Sequence, residues 1–288
     1  MASLATHLSA FLFFVPIGVR RLLCSSSLYL KNPSFFKSKP WYFSSPKWKN
    51  LDLYILSIAL PIASFTQIFI FLSISGHPTY RFSFFQQSAA LFLFWILIIF
   101  FVLHESLDHF LFNESFVFIY AAIAFLVEYS VIGVGITGLG TAVYGLLAQL
   151  TLVCAASCLV LSVKPTAFFA EFVLSIALVF KGTWFFQAGL CLYTDAFALK
   201  GCNKMLLLPG SPNADVHCEL EEDGMRGMAL VNLLFAVHAI GIVIASFVLF
   251  GLLSSYSSLR FGEASGPLLA QLESESTLMH SSQELEIE

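Results

Sequence analysis

The stretch FVLHESLDHFLF, residues 101–112, sets His104, Glu105, Asp108 and His109 inside a phenylalanine-rich run. Imidazoles and carboxylates this close together can hold a metal, relay a proton, or pair with one another. In an HExxH zinc helix two histidines four residues apart share one face. Here the second histidine arrives one residue late, so His104 and His109 point about 140° apart on a helix and cannot chelate one ion together. The pairs that do share a face are His104 with Asp108 and Glu105 with His109. Each is half a site at most and would need ligands from another helix. The expected role of the cluster is structural, at the wet end of its helix, where such pairs contribute about 0.2–0.5 kcal/mol.

The other ionisable groups in apolar surroundings are His7, Glu128, Glu171, Lys181 and His238. Such groups are costly in a membrane and face a bundle interior or a wet cavity. Counted from Ser115 and Thr166 at about 1.5 Å per residue, Glu128 and Lys181 lie at one depth, about 20 Å from the cytosolic edge. That predicts an intramembrane ion pair. Glu171 sits about one turn into its helix, at the depth of His104 and His109, and joining them would make that cluster more metal-like. The alternative metal or haem set is therefore His104, Asp108, His109, Glu171 and His238. The depths argue against haem, because His238 is mid-span whereas His104 and His109 are at the cytosolic end. No cofactor is expected, with metal or haem kept as the alternative.

These residues need helices to position them. The chain has 288 residues, of which 58% are hydrophobic and 11% charged. A soluble domain needs about 25% charged residues to cover its surface, so much of this surface faces lipid. The sequence predicts an all-α, polytopic membrane protein: a seven-helix bundle over 1–253 and an acidic tail over 254–288. The spans fall near 3–23, 51–74, 84–109, 115–136, 139–163, 166–193 and 227–253, each about the 20 apolar residues a bilayer requires. Without water, runs of this length satisfy their backbone groups only as helices. The first span has no basic region before it and reads as a retained helix rather than a cleaved signal.

Orientation follows from the basic residues. Arg20, Arg21, Lys31, Lys37, Lys39, Lys47 and Lys49 cluster between the first two spans with no acid among them. The positive-inside rule places that loop and the C-terminus in the cytosol. Its lysines alternate with Phe35, Phe36, Trp41, Tyr42, Phe43 and Trp48, a blend suited to the headgroups of an anionic leaflet. Nucleic acid is not an expected partner for a loop tethered at both ends. The only sequon, at Asn113, is then cytosolic and unmodified.

The serine-rich tail carries six acidic residues against Arg260 alone and is expected to be disordered. It and the acidic run Asp215, Glu219, Glu221, Glu222 and Asp223 are candidate docking segments for protein partners. The same acids, set before the last span, suit a helix N-terminus. Cys202 and Cys218 share the 194–226 loop and form a possible disulfide if that loop faces an oxidising lumen.

Two segments carry a family likeness. FKGTWFFQAGLCLY, from Phe180 to Tyr193, and HCELEEDGMRGMALVNLLFAVH, from His217 to His238, resemble motifs of the transmembrane protein 45 family. They are also similar to its plant branch of viral-response or domain-of-unknown-function membrane proteins. The 104–112 stretch occupies the place of that family's histidine–acid cluster in the third helix. The resemblance implies a seven-helix fold, residence in the endomembrane system or plasma membrane, and a role in stress or defence. The reading is therefore a non-enzymatic adaptor or trafficking factor. Its alternatives are a metal- or haem-binding redox protein using His104, Asp108, His109 and His238, and a proton or small-solute transporter centred on Glu128 and Lys181.

Overall fold

The computed structural model describes residues 4–42, 51–73, 78–106, 114–134, 136, 138–194, 201–202, 216 and 218–284. Among these, side chains are described except at 51–52, 70–71, 73, 78–81, 83–84, 104–106 and 257–284. The described residues form seven α-helices and one 3-10 turn (Pro33–Phe35). The helices are α1 (Leu4–Lys31), α2 (Leu51–Ser73), α3 (Pro78–Ser106), α4 (Glu114–Val131), α5 (Gly138–Val163), α6 (Phe168–Tyr193) and α7 (Glu221–Glu284). Six of them are long and apolar enough to cross a membrane, and α2 adds the shorter apolar stretch Leu53–Phe69.

The closest pairing joins the first helix to the sixth. Helices α1 and α6 run antiparallel, and glycines let their backbones approach, as in small-residue packing within membranes. A Cβ on Gly18 would lie 2.7 Å from the Val179 nitrogen, and one on Gly182 would lie 2.7 Å from Val15 Cγ2. Further along, a Cβ on Gly189 would meet His7 Cβ at 2.7 Å. On the far side α5 packs between α4 and α6, while α2 pairs with α3 and joins the rest chiefly through α3 on α4. The short α4–α5 connection turns at Gly133, with φ 72°, and a Cβ there would also collide with Tyr144.

The ends of the bundle differ. At one end the segment after α1 folds back on the α5–α6 turn, the Ser38 amide donating to the Pro165 carbonyl at 2.8 Å. Lys37 pairs there with Glu114 at 2.5 Å. At the other end lie His7, Tyr144, Tyr193 and the start of α7. The first turn of α7 carries Glu221, Glu222 and Asp223, whose charge complements the helix dipole. The α7 backbone continues as helix past Tyr256 to Glu284, through the segment expected to be disordered. Leu268, Leu269, Ala270, Gln271 and Leu272 are strong helix formers, while Pro267 within the same stretch opposes helix by about 3 kcal/mol.

Candidate functional site

Among the described residues, two buried charge clusters and a cavity occupy the core between the helices. Glu128 on α4 and Lys181 on α6 form an ion pair, with the lysine fully buried and the glutamate almost so. The ammonium also lies 4.7 Å from the ring centre of Phe14 and 5.0 Å from that of Phe125. Three helices thus enclose one cation, and rings on two of them supplement its carboxylate.

The second cluster centres on Arg21. This residue reads from sequence as part of the surface-binding basic loop, yet it is 8% exposed. Its Nη2 donates to Glu171 Oε2 at 2.7 Å and to Ser38 Oγ at 3.3 Å, and its Nη1 donates to the Pro40 carbonyl at 3.1 Å. The Ser38 hydroxyl in turn donates to Glu171. The physical reason is a matching acid: Glu171, fully buried in the first turn of α6, needs a cation, and Arg21 sits across from it on the antiparallel α1. Tyr42 closes this side with its ring 5.4 Å from the guanidinium. Burial pushes the Tyr42 phenol well up, the Glu171 carboxylate adds to the rise, and Arg21 opposes it.

Other basic residues of that loop stay nearer the surface. Arg20 lies 4.5 Å over the Trp41 ring, while Lys31, Lys37 and Lys39 are exposed. Lys47 and Lys49 lie outside the described residues.

A cavity of about 300 Å³ separates α1 from the α2–α3–α4 face. Thr6 and Arg21 mark its extent on α1, a run of about 22 Å at the helical rise. Its middle is apolar, with Phe14, Leu60, Ala90, Phe94, Ala121 and Phe125 among the lining residues. Arg21 and Trp41 line one end, Thr6, Gln67 and Gln87 the other, and Glu128 the wall between. Buried polar atoms without a hydrogen-bond partner include Arg21 Nε, Trp41 Nε1, Gln67 Oε1 and Glu171 Oε1.

Of the metal candidates, the two with described side chains, Glu171 and His238, are not brought together. His104 lies in the last turn of α3 and is described in backbone only, and Asp108 and His109 lie outside the described residues. Glu171 is engaged by Arg21 and Ser38 rather than by a histidine. His238 sits on α7 with its Nδ1 2.6 Å from Gln187 Oε1. Among the described residues no group of three histidine, cysteine, aspartate or glutamate side chains can hold a metal ion. His7 is fully buried and pairs with the Tyr144 hydroxyl at 3.1 Å.

Cys202 and Cys218 form a disulfide, S–S 2.01 Å, beside the Glu219 amide bond to the Gly201 carbonyl at 2.8 Å. Glu219, Glu221, Glu222 and Asp223 follow at the start of α7. Asp215 lies outside the described residues.

Sequence reasoning missed the Arg21–Glu171 pair and the cavity. Depth bookkeeping on α1 and α6, of the kind that matches Glu128 to Lys181, would have found the first. No periodicity signals the second, because its lining is as apolar as a packed core. No curated protein matches the chain. Residues 114–251 match a family of unknown function (DUF716), and that range contains both segments that resemble the transmembrane protein 45 family.

Proposed function

We propose that this is a non-enzymatic integral membrane protein that receives the alkyl chain of a lipid-like molecule between α1 and the α2–α3–α4 face. The observation that carries the reading is the long apolar cavity, lined by Phe14, Leu60, Phe94 and Phe125 and ending in polar groups. A hydrocarbon core of about 30 Å is two acyl chains deep, so a run of about 22 Å accommodates one whole chain. Ligand sites of this kind are concave, mostly apolar and fixed by a few polar groups.

The test is photolabelling of the purified protein in nanodiscs with a diazirine-bearing palmitoyl ester. Ala90→Phe fills the cavity from α3 and should abolish labelling of cavity-lining peptides. Ile58→Phe, on the exposed face of α2, should leave it unchanged. Equal labelling of both variants would mean that the probe reads bulk lipid, and the reading would fail.

An adaptor or trafficking role in stress or defence is a second reading, supported by the continuation of α7 beyond Tyr256. Truncation after Tyr256 should then remove captured partners without changing palmitoyl labelling.

A further inference from the structure

We propose that the ligand of this cavity carries an uncharged carbonyl acceptor, an ester or amide, seated between Arg21 and Trp41 with its alkyl chain pointing toward Gln67. This rests on the alkyl-chain reading and adds the headgroup to it.

The argument starts from unmet donors. Arg21 and Trp41 are more than nine-tenths buried, both line the same end of the cavity, and neither Arg21 Nε–H nor Trp41 Nε1–H has an acceptor among the described residues. They are held close together, because Arg21 Nη1 donates to the carbonyl of Pro40, the residue before Trp41. The Trp41 ring is fixed between Arg20, 4.5 Å away, and Phe101, 5.1 Å away. A buried donor left without an acceptor costs about 1–3 kcal/mol. Two at one end of an apolar cavity call for an oxygen with two lone pairs, and a carbonyl oxygen has them.

Charge then selects among acceptors. The guanidinium is already neutralised by Glu171 at 2.7 Å. A free carboxylate would place a second anion beside the Arg21–Glu171 pair, where unpaired charge is costly, and Arg20, the other cation near Trp41, does not line the cavity. A hydroxyl or amine would bring a donor to two unmet donors, and the unmet acceptor nearby, Glu171 Oε1, does not line the cavity. An ester or amide carbonyl supplies the acceptor and no charge. The opposite end is suited to the far end of the chain, with Thr6, Gln67 and Gln87 standing where the apolar wall stops.

The experiment is competition against the same palmitoyl-ester photoprobe on the full-length protein in nanodiscs. Three competitors of matched chain length are compared: methyl palmitate, palmitate and the plain hydrocarbon. Methyl palmitate should compete about tenfold better than either of the others, the worth of one or two ordinary hydrogen bonds. Trp41→Phe should reduce that advantage several-fold while leaving hydrocarbon competition unchanged, with thermal unfolding checked in parallel. The ranking on the unmodified protein decides the question even if that variant folds poorly. Equal competition by hydrocarbon and ester would overturn the headgroup assignment and leave the alkyl-chain reading intact. Preference for palmitate would overturn it in favour of an anion site. Labelling that no competitor displaces and Ala90→Phe does not block would remove the alkyl-chain reading itself.

Discussion

Lys181→Met is the most informative single change in the core. The substitution keeps the length and apolar volume of the side chain but removes its charge. Glu128 is then left as a carboxylate between α4 and α6 with no cation, and Phe14 and Phe125 lose the ammonium that lies 4.7 and 5.0 Å from their ring centres. Removing one partner of a buried pair destabilises by about 3–5 kcal/mol, since the survivor stays desolvated and uncompensated. At about 2–4 °C per kcal/mol for a chain of this order, the melting temperature should fall by about 6–20 °C. The double variant Glu128→Leu, Lys181→Met removes both charges and should recover most of that loss, because apolar replacement of a buried pair is often neutral. Thermal unfolding in detergent micelles measures all three proteins alongside Glu128→Leu. A Lys181→Met protein within about 2 °C of the parent, or a double variant as unstable as the sum of the singles, would refute the reasoning. Proton uptake into proteoliposomes that required both residues would make the pair a relay rather than a brace.

Four further outcomes follow from other parts of the fold. Gly18→Leu forces a side chain against the Val179 backbone, where a Cβ alone would come to 2.7 Å, and should destabilise by about 1–3 kcal/mol or more, read as a fall in melting temperature. If the Cys202–Cys218 end faces an oxidising compartment, thiol reagents should label those cysteines only after reduction, and the sequon at Asn113 should carry no glycan. The Tyr42 phenol is held above its ordinary value of 10.0, so its neutral form is the one favoured by folding. Its contribution should be constant below pH 10 and decline as pH rises beyond it, and Tyr42→Phe should flatten that decline in a melting-temperature profile. Purified protein and a His104→Ala, His109→Ala double variant should carry the same trace metal by elemental analysis; stoichiometric metal lost in the variant would restore a metal-site reading.

The all-α membrane architecture was legible because the bilayer allows few alternatives: runs such as 139–163 and 166–193 have nowhere to send their backbone groups except along a helix. The juxtaposition of Glu128 and Lys181 followed from counting depth, which uses only the helical rise. Arg21 was harder to place. Seven basic residues in a row of loop and helix end look alike in sequence, and only the antiparallel docking of α1 on α6 distinguishes the one that meets Glu171. The cavity was invisible for a related reason. Phe94 and Phe125 touch edge to face, 5.2 Å between ring centres, and no feature of the sequence says that the space between α1 and the α2–α3 pair beside them is left open.

The pairing of the first helix with the sixth also sets an order of events during synthesis. Arg21 and Glu171 are 150 residues apart in the chain. At about 5–20 residues per second, roughly 8–30 s separate the emergence of the cation from that of its acid. Through that interval α1 has no groove of glycine and valine to enter, and His7 has neither Phe185 nor Tyr193 beside it. The nascent chain must keep Arg21 at the wet edge of the bilayer, where its long side chain can reach water. The completed α6 then draws the charge inward. A chain stopped before residue 168 would contain five of the seven helices and lack the element that buries the first, so it is not a smaller version of the same fold.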